Sequence, residues 1–355
     1  MPPRRARALD ELSDITRRHT TPTVIDSGAG KLLFCEYGAR LLGMFPDRTL
    51  PNVLWTHENL DAHMAQGSWL VGGERLWLSP ERNYYYENPR DFEVHRVPAG
   101  LDPGNYNTTG ELTFENEFSV LDSLRNETYD NCSARRQFVT IDDPYASGLD
   151  FTGVRIDDTM KVAAPGLEMS AWSLAMVYNR GPGKPGTALF PVTGAATILG
   201  YFWPIPPDRA DVRDGYARFK IDGDAEYKLG LLPTDMDFDN PCKAVYISPY
   251  PDGDRWFCVL KRSNDMPRTV EECVDQPKAD LGGARGATQS FNCGPDTGDG
   301  WDFGEIELQL LKGITQGETT VSHAVHELIA YAGSKNEILE LARNALGSTS
   351  PPVLF

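Results

Sequence analysis

From Val24 onward the apolar residues fall in short runs, each closed by Gly, Pro, Asn or Asp. That spacing predicts strands joined by tight turns. Residues 31–37 and 40–45 read as the arms of a hairpin. Further strands are expected at 92–97, 111–121, 135–141, 151–162, 168–178, 216–222, 244–248, 255–261, 302–311 and 319–328. Asp222-Gly223 and Pro251-Asp252-Gly253 supply turn chemistry between several of them. Two stretches carry helical spacing instead. Ala6, Leu9, Leu12 and Ile15 recur at every third position among charges within 5–18, which predicts a short amphipathic helix at the edge of the main domain. Ile338, Leu339, Leu341, Ala342 and Ala345 follow Ser334, a good N-cap, and stop at Gly347. The polar segment 263–300, rich in Gly, Asp and Gln, reads as a long loop or lid.

No internal repeat or long polar linker divides the 355 residues. The simplest organisation is an N-terminal helical extension over 1–22 and one mainly β domain over 23–355 that includes the C-terminal helix, since large sandwiches reach this size as single units. Charge narrows the partners. With 51 acidic against 34 basic residues the formal charge is −17, which repels phosphate backbones and anionic lipid. Nucleic acid and membrane are therefore set aside and a neutral ligand is favoured; the oligomeric state is left open. No apolar run reaches the ~18 residues that cross a bilayer, and the start, MPPRR, lacks the apolar stretch of a secretory signal. The expected location is the cytoplasm, or a secreted or periplasmic one if a leader has been removed.

The six cysteines include no Cys-x-x-Cys pair, so zinc has no support. Cys242, Cys258, Cys273 and Cys293 are close enough in sequence to permit one or two disulfides, with buried thiols as the commoner state. His323 and His326 are three apart in an expected strand and so face opposite sides, which argues against a shared metal. The chain has no Gly-x-Ser-x-Gly elbow, no phosphate-binding Gly-rich Lys-Ser/Thr loop and no dinucleotide fingerprint. No cofactor or metal is called for.

Four runs together resemble the galactose-mutarotase-like (aldose 1-epimerase-like) superfamily, and most closely a bacterial branch of it: YGARLLG at 37–43, GGERLWLSPE at 72–81, LEMSAWSL at 167–174 and FGEIELQ at 303–309. Their order covers about 37 to 330. The resemblance implies a super-sandwich of large antiparallel sheets with a carbohydrate cleft on a concave face. In that family the catalytic base is a glutamate in a late Glu-x-Gln strand, which matches Glu307-Leu308-Gln309. The family's general acid is a histidine in a central strand, and 168–178 contains none. The resemblance thus supplies a base and no acid.

The residues of that strand by themselves allow either a site or, more commonly, a solvated strand face. Alternation puts Glu305, Glu307 and Gln309 on one face and Ile306, Leu308 and Leu310 on the other, toward the core. Two carboxylates so placed repel each other, which raises one pKa and suits proton exchange with a sugar hydroxyl or anomeric centre. Arg75 can grip a sugar by its forked donors and Trp77 by ring stacking, with core packing as the equal alternative; for Tyr84 and its neighbours core packing is the commoner role. His57 or His63, near Trp55, is a candidate for the missing acid. Lys161 and Lys228 lie in strand-like segments, where a lysine beside a carboxylate can act as acid or oxyanion stabiliser.

The sequence reading is a carbohydrate-active enzyme with Glu307 as base, Glu305 as its partner, and His57 or another His, Lys or Tyr as acid. Arg75, Trp77, Gln309, Tyr84 and Lys228 would hold a mono- or oligosaccharide. Epimerase (isomerase), lyase and glycoside hydrolase chemistry all stay open, a lyase needing Arg75 to neutralise a uronate. The alternative is a non-catalytic carbohydrate-binding protein that kept the cleft and lost the acid.

Overall fold

The computed structural model describes residues 5–278, 283–294 and 301–355. Among them the strands form two large antiparallel sheets. The first, nine-stranded, runs in the spatial order Pro22–Ser27, Gly30–Cys35, Arg40–Phe45, Glu74–Ser79, Ser170–Val177, Gly304–Lys312, Thr288–Asn292, Tyr227–Leu231, Ile198–Gly200. The second, eleven-stranded, is centred on the long strands Thr319–Gly333 and Asp150–Val162, paired along their length from Asp150 opposite Ala332 to Val162 opposite Thr320. The mainly β class expected from the turn-punctuated pattern is the observed one.

Alternation builds the core between the sheets. Leu76, Leu78, Ile306, Leu308 and Leu310 of the first sheet pack with Val154, Ile156, Val259, Leu328 and Ala330 of the second, all buried. The alternate residues of the first sheet, Arg75, Trp77, Trp172, Glu305 and Glu307, therefore point to its other face. The paired glycines ahead of Glu74–Ser79 have a steric reason. Gly72 and Gly73 both have positive φ, and a Cβ on Gly72 would lie 2.1 Å from the Trp55 carbonyl oxygen.

The N-terminal helix, Leu9–Arg17, buries Leu12 against Leu33, Leu42 and Phe45 of the first sheet. At the other end, Lys335–Leu346 is a helix with a reciprocal capping box. Ser334 Oγ accepts from the Glu337 backbone N–H, and the Ser334 N–H donates to Glu337 Oε2. Gly347, in the left-handed region, ends it. Ile338, Leu341 and Ala342 seal the outer face of the second sheet over Val245, Leu260 and Ile329. Ser334→Ala is expected to lower unfolding stability by about 1 kcal/mol; an unchanged denaturation midpoint would show the box to be idle.

The segment 263–300 differs from the lid expected of it. Residues 279–282 and 295–300 lie outside the described residues, but Thr288–Asn292 is a fully buried strand inside the first sheet, beside the glutamate strand. Its pattern is masked because both faces are polar: Ser290 Oγ donates to the Glu305 carbonyl, and Gln289 Nε2 to Asp275 Oδ2. All six cysteines are buried thiols outside any disulfide. No helix among the described residues is long and apolar enough to cross a membrane.

Candidate active site

Strand register assembles the site. Across the first sheet, Arg75, Leu174, Glu307 and Gln289 form one row, and Met176, Glu305, Phe291 and Lys228 the next. Of these, Arg75, Leu174, Glu307, Glu305, Phe291 and Lys228 line a cavity of about 280 Å³. Five of the chain's seven tryptophans wall it (Trp69, Trp77, Trp172, Trp203 and Trp301), with Tyr86, Phe92, Phe202, Phe291 and Phe303. Glu81, His95, Glu226 and Lys278 complete the lining.

The floor is charged and its charged side chains are buried. Arg75 Nη1 donates to Glu305 Oε1 at 2.6 Å, while the guanidinium lies 4.2 Å from the Trp77 ring centroid and 5.4 Å from that of Trp69. Lys228 Nζ donates to Glu81 Oε2 at 2.6 Å, sits 3.4 Å from Glu307 Oε2, and stacks at 4.3 Å over Trp172. The Trp172 indole N–H donates to Glu307 Oε2 at 3.1 Å. Glu307 Oε1 is buried with no hydrogen-bond partner among the described residues. Such an orphaned buried acceptor is costly unless a ligand, water or its own proton satisfies it.

Electrostatics separates the titrating groups. Burial lifts the Glu307 carboxyl to about 8; Lys228 opposes the shift, while Glu305, Glu81 and Asp275 add to it. Burial would raise Glu81 as well, but Lys228 against it outweighs that and holds it below the usual carboxylate range. The His95 imidazole is pushed down to about 4 by burial, with Glu81 opposing and Arg75 and Lys228 assisting. The cavity thus favours a proton on the Glu307 carboxyl and disfavours one on the His95 imidazole.

No family model and no curated protein matches the chain. Solved structures do align with it along most of their length. The likeness is to mutarotase-class proteins. One is a provisionally assigned aldose 1-epimerase from Escherichia coli K12, at 11% identity and TM-score 0.47, covering 89% of this chain and 99% of that one. Another is a galactose mutarotase-like protein from Lactobacillus casei, at 10% and 0.45, covering 88% and 99%. A third is a provisionally assigned mutarotase from Salmonella typhimurium, at 14% and 0.42, covering 94% and 95%. At these identities the similarity is one of chain path, and what the cavity does is read from its own side chains.

Of the residues singled out in the sequence, Glu305, Glu307, Arg75, Trp77 and Lys228 meet in the cavity. Gln309 lies beside the floor without lining it, accepting from Ser170 Oγ at 3.3 Å. Tyr84 packs in the core, because Glu81–Tyr84 is a helical turn that sends successive tyrosines in different directions; Tyr85 stacks on Trp77 and Tyr86 reaches the cavity. His57 stands outside the lining, its ring 3.7 Å from that of His63, with Trp55 between it and Phe303. Lys161 is exposed on the other sheet.

The residue that sequence reasoning missed is His95. It stands in a three-residue strand, Glu93–His95, whose backbone is aimed by positive φ at Phe92 and Val94. Non-glycine residues there cost about 1–3 kcal/mol, a strain typical of functional positions. The available signal was its place in an aromatic-dense stretch. A second cluster, Glu74, Asp158 and His326, has donor atoms within 4.8 Å of one another. Arg136 already bonds both carboxylates and supplies the positive charge a metal would bring.

Proposed function

We propose that this cavity binds one sugar ring and exchanges protons with it by general acid/base catalysis, interconverting anomers or epimers. The observation that carries the reading is the Glu307 oxygen left without a partner at the floor of an indole-walled cavity. Aromatic rings suit the apolar faces of a pyranose, and a hydroxyl can both donate to and accept from a carboxyl. The volume, at the small end of the roughly 300–1,000 Å³ usual for ligand sites, suits one ring better than a chain spanning a scissile bond. That favours isomerisation over lyase or hydrolase chemistry.

The sequence assigns Glu307 as base, but its raised pKa supports a first act as donor, with His95 as the acceptor. In the reverse direction the roles exchange, as a reversible isomerisation requires. His95 takes the acid/base place offered to His57 because it lines the cavity. Arg75 and Glu305, locked to each other, orient hydroxyls.

Two measurements test this. Monosaccharides at ~100 times Kd are expected to stabilise the fold by about 2.7 kcal/mol, read as a rise in Tm. Exchange NMR on each hit is expected to show faster anomeric or epimeric interconversion. Binding without faster exchange identifies the non-catalytic alternative; no monosaccharide binding at all sinks the sugar reading.

A further inference from the structure

We propose that Glu81 is a positioning residue: by taking the short bond from Lys228 it keeps that ammonium off Glu307, leaving Glu307 able to hold the proton the reaction exchanges. The inference rests on the reading of the cavity as an acid/base sugar site.

The geometry is a competition between two carboxylates for one cation. Lys228 Nζ stands 2.6 Å from Glu81 Oε2 in a charge-assisted hydrogen bond, and 3.4 Å from Glu307 Oε2. Glu81 is held in place to win. Its Oε1 accepts from Tyr86 Oη at 2.7 Å, and its backbone N–H donates to Asp275 Oδ1 at 2.8 Å. Among the described residues Glu307 accepts a hydrogen bond only from the neutral Trp172 N–H on one oxygen and none on the other.

The remaining charges do not alter the balance. Glu305, on the strand of Glu307, is paired with Arg75 and works in the same direction as Glu81, disfavouring charge on Glu307. Asp275, before the strand Thr288–Asn292, adds negative charge, as does Glu81 itself. Lys261, reaching in from the second sheet, is spent on the Ser173 carbonyl and hydroxyl at 2.8 and 2.7 Å. His95 is uncharged at neutral pH. Lys228 is thus the cation that decides the state of Glu307, and Glu81 decides where Lys228 points.

The test reads Glu307 directly and without sugar. The full-length protein is labelled with [δ-13C]glutamate, and the Glu307 signal is identified by its loss in Glu307→Gln. In folded Glu81→Gln, Lys228 is released toward Glu307, and the titration midpoint is expected to fall by about 1 unit or more. In Lys228→Met the midpoint is expected to rise, and adding Glu81→Gln there is expected to move it less than in the wild-type background. An unmoved or rising midpoint in Glu81→Gln, or an equal Glu81→Gln shift with and without Lys228, overturns the assignment. Should Glu81→Gln fail to fold, an unchanged midpoint in Lys228→Met overturns it alone. Absence of sugar binding counts against the reading of the cavity, whereas these midpoints count for or against Glu81.

Discussion

Replacing Glu307 with Gln is expected to slow sugar interconversion by about 10²–10⁴-fold, the usual worth of a positioned acid or base. The substitution keeps volume and keeps an oxygen for the Trp172 indole N–H, so binding and Tm should hold while turnover falls. The wild-type rate should follow a bell. Its rising limb, near 4, is His95 losing a proton and becoming able to accept one; its falling limb, near 8, is Glu307 losing the proton it must give. The descending limb should vanish in Glu307→Gln and the ascending limb in His95→Phe. Turnover within a factor of about three of wild type in Glu307→Gln would remove the carboxyl from the chemistry, since that is far below the contribution of a working acid or base.

The largest stability effect is expected at Arg136, at the heart of the sandwich. Its guanidinium donates to Asp158 at 2.8 and 3.1 Å, to Glu74 at 2.8 Å and to the Ala39 carbonyl at 3.1 Å, tying the second sheet to the first. Ser173 Oγ and His326 Nε2 complete the shells of Glu74 and Asp158. Arg136→Met strips the charge from two carboxylates that stay buried, and should cost about 3–5 kcal/mol in urea unfolding. A loss below about 1 kcal/mol would mean that the carboxylates find protons or water instead.

The same network sets an acid limit. Burial would raise Asp158, but Arg136 and His326 hold it down, to about 2. A carboxyl depressed in the folded state contributes stability that is complete above its unfolded pKa and is lost as pH falls through the folded one. The contribution of Asp158 should therefore fade between about 4 and 2.

Legibility differed between elements for physical reasons. The helix after Ser334 reads directly because cap, period and terminating glycine are all local. The strand Thr288–Asn292 does not, since polar side chains stand on both of its faces and no alternation of apolar residues marks it. Glu307 stands out only through the resemblance, which matches Glu307-Leu308-Gln309; alternation alone leaves Glu305, Glu307 and Gln309 as readily an exposed polar face. His95 does not, because its partners come from strands distant in sequence and its aim depends on backbone angles that no residue type announces.

What the sequence determined by itself was the class of the fold, the faces of the glutamate strand and the residue types that meet on it. Period, turn chemistry and capping act over a few residues, so local order is enough to fix them. Which histidine faces the cavity, which carboxylate holds Lys228 and which keeps its proton were decided only by the tertiary structure. Those choices depend on differences of less than an ångström in the distances between buried groups far apart in the sequence, where charges are screened less than in water.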